Sequence, residues 1–190
     1  MERIRLKFRG LSEIVGTEKM GLIVLTDEAE IRQVTIVCDR HVEHEFSMRM
    51  ADTPITNKML PEALWKMLKQ AVGEHFDIVI NGIYDGQYSA ALVNTDTAYT
   101  VQMRASDAVL LSCISGLPLF MERSLMMRQS VPFHAGAQGL SIPVNAISDD
   151  MLKSAMEKAI NDENYELASQ LRDEQKRRMK KRSSENEERQ

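Results

Sequence analysis

The chain has 190 residues, 43 % of them hydrophobic, so it can form one domain with a real core plus a smaller accessory part. It carries 24 basic and 28 acidic side chains, a net charge of −4, which argues against a protein that binds nucleic acid mainly through a basic surface. No apolar run approaches the roughly 18 residues of a membrane-spanning helix, and the charged, alternating N-terminus is unlike a signal peptide. Cys38 and Cys113 lie far apart in apolar segments, as reduced thiols do. We therefore expect a cytoplasmic protein with no membrane contact.

The first forty residues predict three strands, over 2–9, 20–26 and 31–38. In the first strand one face is basic and the other apolar, because side chains alternate across a strand. The basic face consists of Arg3, Arg5, Lys7 and Arg9. This face is either an ordinary solvated strand face or a strip that meets an anion, and the sequence leaves both interpretations open.

The middle of the chain predicts helices and a hairpin. Residues 41–50 lose the two-residue period and favour a helix, whereas residues 53–56 are predicted to be extended or turning, because the residue before Pro54 avoids the helical region. A helix is predicted over 59–72, where apolar residues recur three or four positions apart and Gly73 follows. These apolar residues are Leu60, Leu64, Met67, Leu68 and Ala71. Strands over 76–83 and 88–93 are joined at Asp85-Gly86, a pair that is typical of tight hairpins.

A strand over 98–103, a helix over 106–115 that ends at Gly116, and a strand over 117–121 complete the pattern. Strands and helices are interleaved, but the hairpin makes part of the sheet antiparallel. We therefore predict an α+β domain over 1–131, in which helices pack on a mixed, partly antiparallel sheet.

The amino-acid composition of the chain changes after Val131. Residues 132–147 are rich in Gly and Pro and predict a linker. A hairpin of two helices, 149–160 and 165–180, is predicted within 148–182, and the charged residues 183–190 predict a disordered tail.

The predicted hairpin has few apolar residues, so we expect it to pack against another protein. The residues expected to contact a partner are Leu152, Met156, Ala159, Tyr165, Ala168, Leu171 and Arg172. Together with residues 164–174, this pattern resembles the UVR motif, named for the UvrB and UvrC excinuclease subunits and also present in Clp-associated regulators. The resemblance implies a partner that contains a UVR hairpin or belongs to a Clp-type or repair complex. A generic amphipathic hairpin is the alternative.

Arg104, Ser106 and Asp107 lie where a strand is predicted to meet a helix. In a purely structural interpretation, Ser106 caps the helix and Asp107 interacts with the positive end of its dipole. In a functional interpretation, Arg104 binds a phosphate at the helix N-terminus while Asp107 holds a metal ion or orients a water.

Several segments in order resemble the bifunctional nuclease domain across roughly residues 1–131. They are Thr53-Pro54-Ile55-Thr56, the Asp-Gly hairpin that ends in 88–92, Arg104-x-Ser106-Asp107-Ala108, and 116–120. The resemblance implies an α+β fold, a homodimer, and DNase or RNase activity that depends on Mg²⁺ or Mn²⁺, with Arg104, Ser106 and Asp107 in the site.

Two departures from the family pattern concern useful chemical groups. The family usually has His-Asp after its Pro-Leu-Thr, whereas this chain has Asn57-Lys58. The family also usually has a Glu after its third strand. An ungapped alignment places Val42 at this position, and a shift of one residue places Glu43 there. Glu43 is therefore a candidate catalytic residue and, with Asp107, a candidate metal ligand. A replacement site made of His41, Glu43, His44 and Glu45 is the alternative, against an ordinary solvated face.

Two functions follow from these patterns. The first is a nuclease that cleaves phosphodiester bonds in DNA or RNA. The second is a non-catalytic dimeric adaptor that recruits a partner through the hairpin, and it is favoured by the acidic balance and the replaced His-Asp pair.

Overall fold

The computed structural model describes residues 2–13, 20–84, 86–133 and 149–161, and single positions between 165 and 179. The chain divides into two compact units, Met1–Ser141 and Ile142–Gln190. Among the residues described, no helix has both the length and the apolar character needed to cross a bilayer.

The strands of the first unit are β1 (Arg3–Glu13), β2 (Met20–Asp27), β3 (Arg32–Asp39), β4 (Phe76–Tyr84), β5 (Gln87–Asn94), β6 (Thr100–Arg104), β7 (Leu119–Glu122) and β8 (Val131–Pro132). Its α-helices are α1 (Arg40–Met50), α2 (Leu60–Val72), α3 (Ala105–Ser115) and α4 (Arg123–Gln129), with a 3₁₀ helix at Pro54–Lys58. In the second unit, α5 covers Asp149–Asn161.

The strands form one eight-stranded sheet in the order β6-β5-β4-β7-β1-β2-β3-β8. Neighbouring strands are antiparallel except β4 and β7, which are parallel and align Ile78 with Leu119. The predicted α+β fold with a mixed, partly antiparallel sheet is therefore confirmed.

Helix α3 lies at the centre of this unit. It is apolar on nearly every side, which is typical of a helix that is buried on most sides, and its first half is almost entirely buried. Ala108 and Val109 are fully buried, and the helix contacts β3, β4, β5 and β6. Next to it, Phe46 of α1 stacks on Phe8 of β1 with ring centroids 5.0 Å apart. The core therefore lies between the helices and one face of the sheet.

The sheet must curve strongly to surround α3. Strands β3 and β6 are six places apart in the sheet, which corresponds to about 29 Å in a flat sheet. Yet Nη1 of Arg104, at the end of β6, lies 2.9 Å from Oδ2 of Asp39, at the end of β3. The register shifts between Phe8 and Gly10 and between Ile80 and Gly82 mark bulges, which increase the twist and bending of strands.

The predicted strands and α-helices of the first unit are present, with ends that differ from the predicted ones by at most four residues. Gly116 ends α3 with φ 73°, the left-handed conformation that glycine adopts without strain. Helix α4 and the short strand β8, which pairs with Arg32 and Gln33, were not predicted. They lie after a four-residue strand, where the sequence has too few residues to show a clear period.

In the second unit, α5 confirms the predicted helix over 149–160. The described positions between Tyr165 and Met179 are helical, in agreement with the predicted second helix. Nearly all of the predicted linker 132–147 and the whole tail 183–190 lie outside the described residues. The proposed boundaries at 131, 148 and 182 stay predictions.

Replacing Ile78 by Ala should lower the free energy of unfolding by about 2–5 kcal/mol, because this fully buried side chain leaves a cavity in the core. The matched change at Ile31, which is 66 % exposed, should alter it by less than about 0.5 kcal/mol. Urea unfolding followed by the fluorescence of Trp65, the one tryptophan of the chain, measures both. Equal losses in the two variants would contradict the described core.

Candidate active site

Arg104 is bound by two carboxylates at the surface of the first unit. Its Nε and Nη2 donate to Oδ2 and Oδ1 of Asp107 at 2.7 and 2.9 Å, and its Nη1 donates to Oδ2 of Asp39 at 2.9 Å. All three side chains are partly open to solvent. We call Asp39, Arg104 and Asp107 the Arg104 cluster. It contains two negative charges and one positive charge.

The ends of two strands and the starts of two helices hold this cluster in place. Arg104 is the last residue of β6 and stands at the N-cap of α3, so Asp107 follows in the first helical turn. Asp39 ends β3 and caps α1, because its Oδ1 accepts the backbone N–H of Val42 at 2.9 Å. Both carboxylates therefore lie at the positive ends of helix dipoles, where negative charge is stabilised.

These contacts change the proton affinities of the cluster. The backbone N–H of Val42 is the largest cause that holds the pKa of Asp39 below its usual value. Burial opposes this effect, and the hydrogen bond and charge of Arg104 lower the pKa further. Hydrogen bonds from the guanidinium to Asp107, and then to Asp39, raise the pKa of Arg104. Asp39 and Arg104 are therefore ionised at neutral pH.

The structure brings Arg104 and Asp107 together, at the strand–helix junction where the sequence places them. Ser106 is buried at the second position of α3. The expectation that it caps this helix is wrong, because the cap position belongs to Arg104 and no side chain accepts a hydrogen bond there. The helix begins one residue earlier than expected, which moves Ser106 into the first turn.

Glu43 lies in the first turn of α1, over β2. A Cβ atom added to Gly21 would lie 3.0 Å from its carboxyl carbon, so Glu43 is close to the backbone of Gly21. It also contributes, after burial, to raising the pKa of the neighbouring Cys38 to about 11. Within the described residues, Glu43 forms no ion pair with Arg104.

The alternative metal site in α1 is not assembled. His41 and His44 are exposed, whereas Glu45 is buried and pairs with Arg49 at 2.8 Å. Arg49 also pairs with Glu62 of α2 at 2.7 Å, so Glu45 takes part in helix packing. Among the described residues, no three His, Cys, Asp or Glu side chains converge as they would around a metal ion.

Asn57 and Lys58, at the positions of the family's His-Asp pair, are exposed on the 3₁₀ helix. The backbone oxygen of Asn57 accepts a hydrogen bond from Lys66 of α2 at 2.9 Å. Neither side chain supplies a carboxylate or imidazole at this position, so acid–base chemistry there must come from other residues.

Each side chain on the basic face of β1 has an oxygen partner, and the three arginines pair with carboxylates. Arg3 pairs with Asp77, Arg5 with Glu28 and Arg9 with Glu30. Lys7 donates to the backbone oxygen of Glu28. The arrangement favours an ordinary solvated strand face over an anion-binding strip.

The residues predicted to contact a partner fall into two groups in the second unit. Leu152, Ala159 and Leu171 are buried, whereas Met156 and Ala168 are half-buried. Tyr165 and Arg172 are exposed, and Arg172 donates to Oγ of Ser169 at 3.5 Å. Of the predicted set, Tyr165 is therefore the large apolar side chain that a partner can reach.

Asp39 is the member of the cluster that sequence reasoning missed. A local signal was present, since Asp is a preferred cap residue and stands directly between a predicted strand and a predicted helix. Its contact with Arg104, 65 residues further along the chain, depends on the curvature of the sheet.

Replacing Asp39 by Asn should lower stability at pH 7, and this difference should become smaller as the pH falls below about 4. Asn retains the capping oxygen but lacks the charge that Arg104 binds. Because the folded-state pKa of Asp39 is depressed, its contribution is present above the unfolded value of about 3.9 and is lost as the pH falls through the folded value. Urea midpoints of both proteins between pH 7 and pH 3 measure this effect. A difference that does not change with pH would contradict it.

Comparison with known proteins places these features in a family. The model of the bifunctional nuclease domain matches residues 23–134, which include the whole Arg104 cluster. The model of the UvrB/UvrC motif matches residues 151–177, in the second unit. A search of curated proteins found no match. Since the first match covers more than half of the chain, the protein belongs to the bifunctional nuclease domain family and carries a UVR motif after that domain.

Proposed function

We propose that the first unit is a nuclease that hydrolyses phosphodiester bonds at the Arg104 cluster. The observation that carries this proposal is the exposed guanidinium of Arg104, held by two carboxylates at the starts of two helices. Family membership supports the reaction class. The overall acidic charge means that binding would depend on this local arrangement and not on a broad basic surface.

In the proposed reaction, a phosphate group takes the place of one carboxylate on Arg104. The planar guanidinium can form two parallel hydrogen bonds to phosphate, which stabilises the charge that develops during hydrolysis. The carboxylate that is released, on Asp107 or Asp39, then accepts a proton from the attacking water as its oxygen bonds to phosphorus. The bond from phosphorus to the leaving oxygen breaks, and that oxygen takes a proton from solvent. The exchange is feasible because exposed ion pairs contribute only up to about 1 kcal/mol each.

The same carboxylates fit a divalent cation. Mg²⁺ commonly uses one or two protein carboxylates and completes its shell with water and substrate phosphate. Asp39 and Asp107 would supply these carboxylates, whereas Glu43 is the weaker candidate ligand because it forms no ion pair with Arg104 in the described residues. A bound Mg²⁺ or Mn²⁺ would neutralise phosphate charge and acidify a water molecule.

Purified protein should degrade single-stranded DNA or RNA, and Arg104→Ala should reduce the rate by about 100-fold, because one preorganised donor to the phosphate is lost. Asp107→Asn should reduce it similarly. Arg123→Ala is the matched control, since Arg123 is about as exposed and is also paired with a carboxylate, that of Glu2. Cleavage of fluorescent oligonucleotides with Mg²⁺, Mn²⁺ or EDTA measures the rates and the need for a metal.

Two results would reject this assignment. Equal activity in Arg104→Ala and the unchanged protein would indicate a contaminating nuclease. Undetectable activity under every metal condition would favour the second candidate function.

The second candidate is a non-catalytic adaptor that works as a dimer in the cytoplasm and recruits a partner through the UVR motif. Two observations favour it: the guanidinium of Arg104 is already paired with two carboxylates, and Asn57-Lys58 replaces the family's His-Asp. The proposed partner contains a UVR hairpin or belongs to a Clp-type or repair complex. The exposed side chains of Ile160, Tyr165 and Met179 would contribute to the contact.

Replacing Tyr165 by Ala should weaken partner capture in a pull-down, because Tyr165 offers a large apolar surface that a partner can bury. Tyr99→Ala is the matched control: Tyr99 is 71 % exposed in the first unit, compared with 69 % for Tyr165. A chain that ends at residue 147 should lose the same partners as Tyr165→Ala. If the shortened chain retains every partner, the UVR motif is not the recruiting element.

A further inference from the structure

Helix α2 exposes the apolar face that its sequence pattern would assign to a core. Leu60, Leu64 and Met67 are 69 %, 55 % and 70 % exposed, and Ala71 is exposed as well. These four residues lie within about 60° of one another around a helix of 3.6 residues per turn. We call them the α2 stripe.

The opposite side of α2 anchors the helix to the first unit. Trp65 is the one buried residue of the helix, and Glu62 accepts a charged hydrogen bond from Nε of Arg49 at 2.8 Å. Two different contacts thus fix the rotation of the helix about its axis. The exposure of the α2 stripe therefore results from a well-anchored helix.

We propose that the α2 stripe binds the α2 stripe of a second copy of this chain, with the two helices antiparallel. The spacings between Leu60, Leu64, Met67 and Ala71 are four, three and four, so the stripe is symmetric about its midpoint. An antiparallel pair places Leu64 opposite Met67 of the second copy and Leu60 opposite Ala71 of the second copy. A two-fold interface needs this self-complementarity, and alternating spacings of three and four produce close helix packing.

The size and the charge of the α2 stripe agree with binding to a second copy of this chain. The α2 stripe and neighbouring Ala63 present on the order of 500 Å² per copy, so a pair buries roughly 1,000 Å², the lower limit for a specific interface. The flanking residues Pro61, Ala63, Leu68 and Gln70 carry no charge. Two copies therefore meet without like-charge repulsion next to the contact, and charge is also depleted at the centres of known interfaces.

This inference assigns a surface to the dimer included in the proposed adaptor, and it does not depend on hydrolysis at the Arg104 cluster.

Sedimentation velocity of the full chain at several concentrations is the measurement. The unchanged chain should dimerise, and Leu64→Lys and Met67→Glu should each raise the dissociation constant by roughly tenfold or more. Met127→Glu is the control, because Met127 is similarly exposed on α4.

Mixing the two variants tests the antiparallel arrangement. In the mixed pair, Lys at position 64 of one copy faces Glu at position 67 of the other, while an unchanged Met67 faces an unchanged Leu64. The mixture should therefore dimerise more strongly than either variant alone. Circular dichroism checks that both variants fold. If Met67→Glu does not fold, Met67→Gln is used in its place.

Three outcomes would overturn the proposal. They are a monomeric unchanged chain at all concentrations, a dimer that tolerates both charged variants, and a mixture no stronger than the variants alone. The nuclease assay is unaffected by the first outcome, so failure of this proposal is distinguishable from failure of the proposed hydrolysis.

Discussion

The burial of α3 is the constraint on which the first unit depends. Its apolar side chains face in nearly every direction, so one flat sheet could not cover them. The sheet therefore curves around the helix, and the ends of β3 and β6 approach each other. Burial of Val109 and Leu110 contributes about 1.5–3 kcal/mol each, more than exposed ion pairs do. The curvature is thus driven by burial, and the Arg104 cluster forms where it brings charged side chains together.

The charge balance of the Arg104 cluster affects how well it could bind phosphate, and family membership alone does not establish catalysis. Arg104 and Asp107 are held in a bidentate pair at an exposed helix start, an arrangement that suits phosphate chemistry once a substrate competes for the guanidinium. The second carboxylate, on Asp39, leaves a net negative charge, which disfavours phosphate unless a cation is also present. The proposed hydrolysis would therefore require a cation next to Arg104.

The two units expose different apolar surfaces. The first unit exposes an apolar helix face that is symmetric and uncharged, features that suit a copy of itself. The second unit carries a UVR motif in which several apolar residues are already buried and Tyr165 remains accessible. A dimer built on α2 would present two UVR motifs, and two linked binding sites increase the effective affinity for a multivalent partner.

The local sequence determined most elements of this protein, because Asp85-Gly86, Gly73 and Gly116 mark turns or helix ends and strand residues alternate over short distances. The same local patterns predicted the strand–helix junction at Arg104 and the family. Only the tertiary structure decided three features. Arg104 contacts Asp39, Glu43 lies next to Gly21 without pairing with Arg104, and the apolar face of α2 is exposed. A periodic apolar face shows that a helix has two different sides, but only packing against the rest of the chain decides which side is buried.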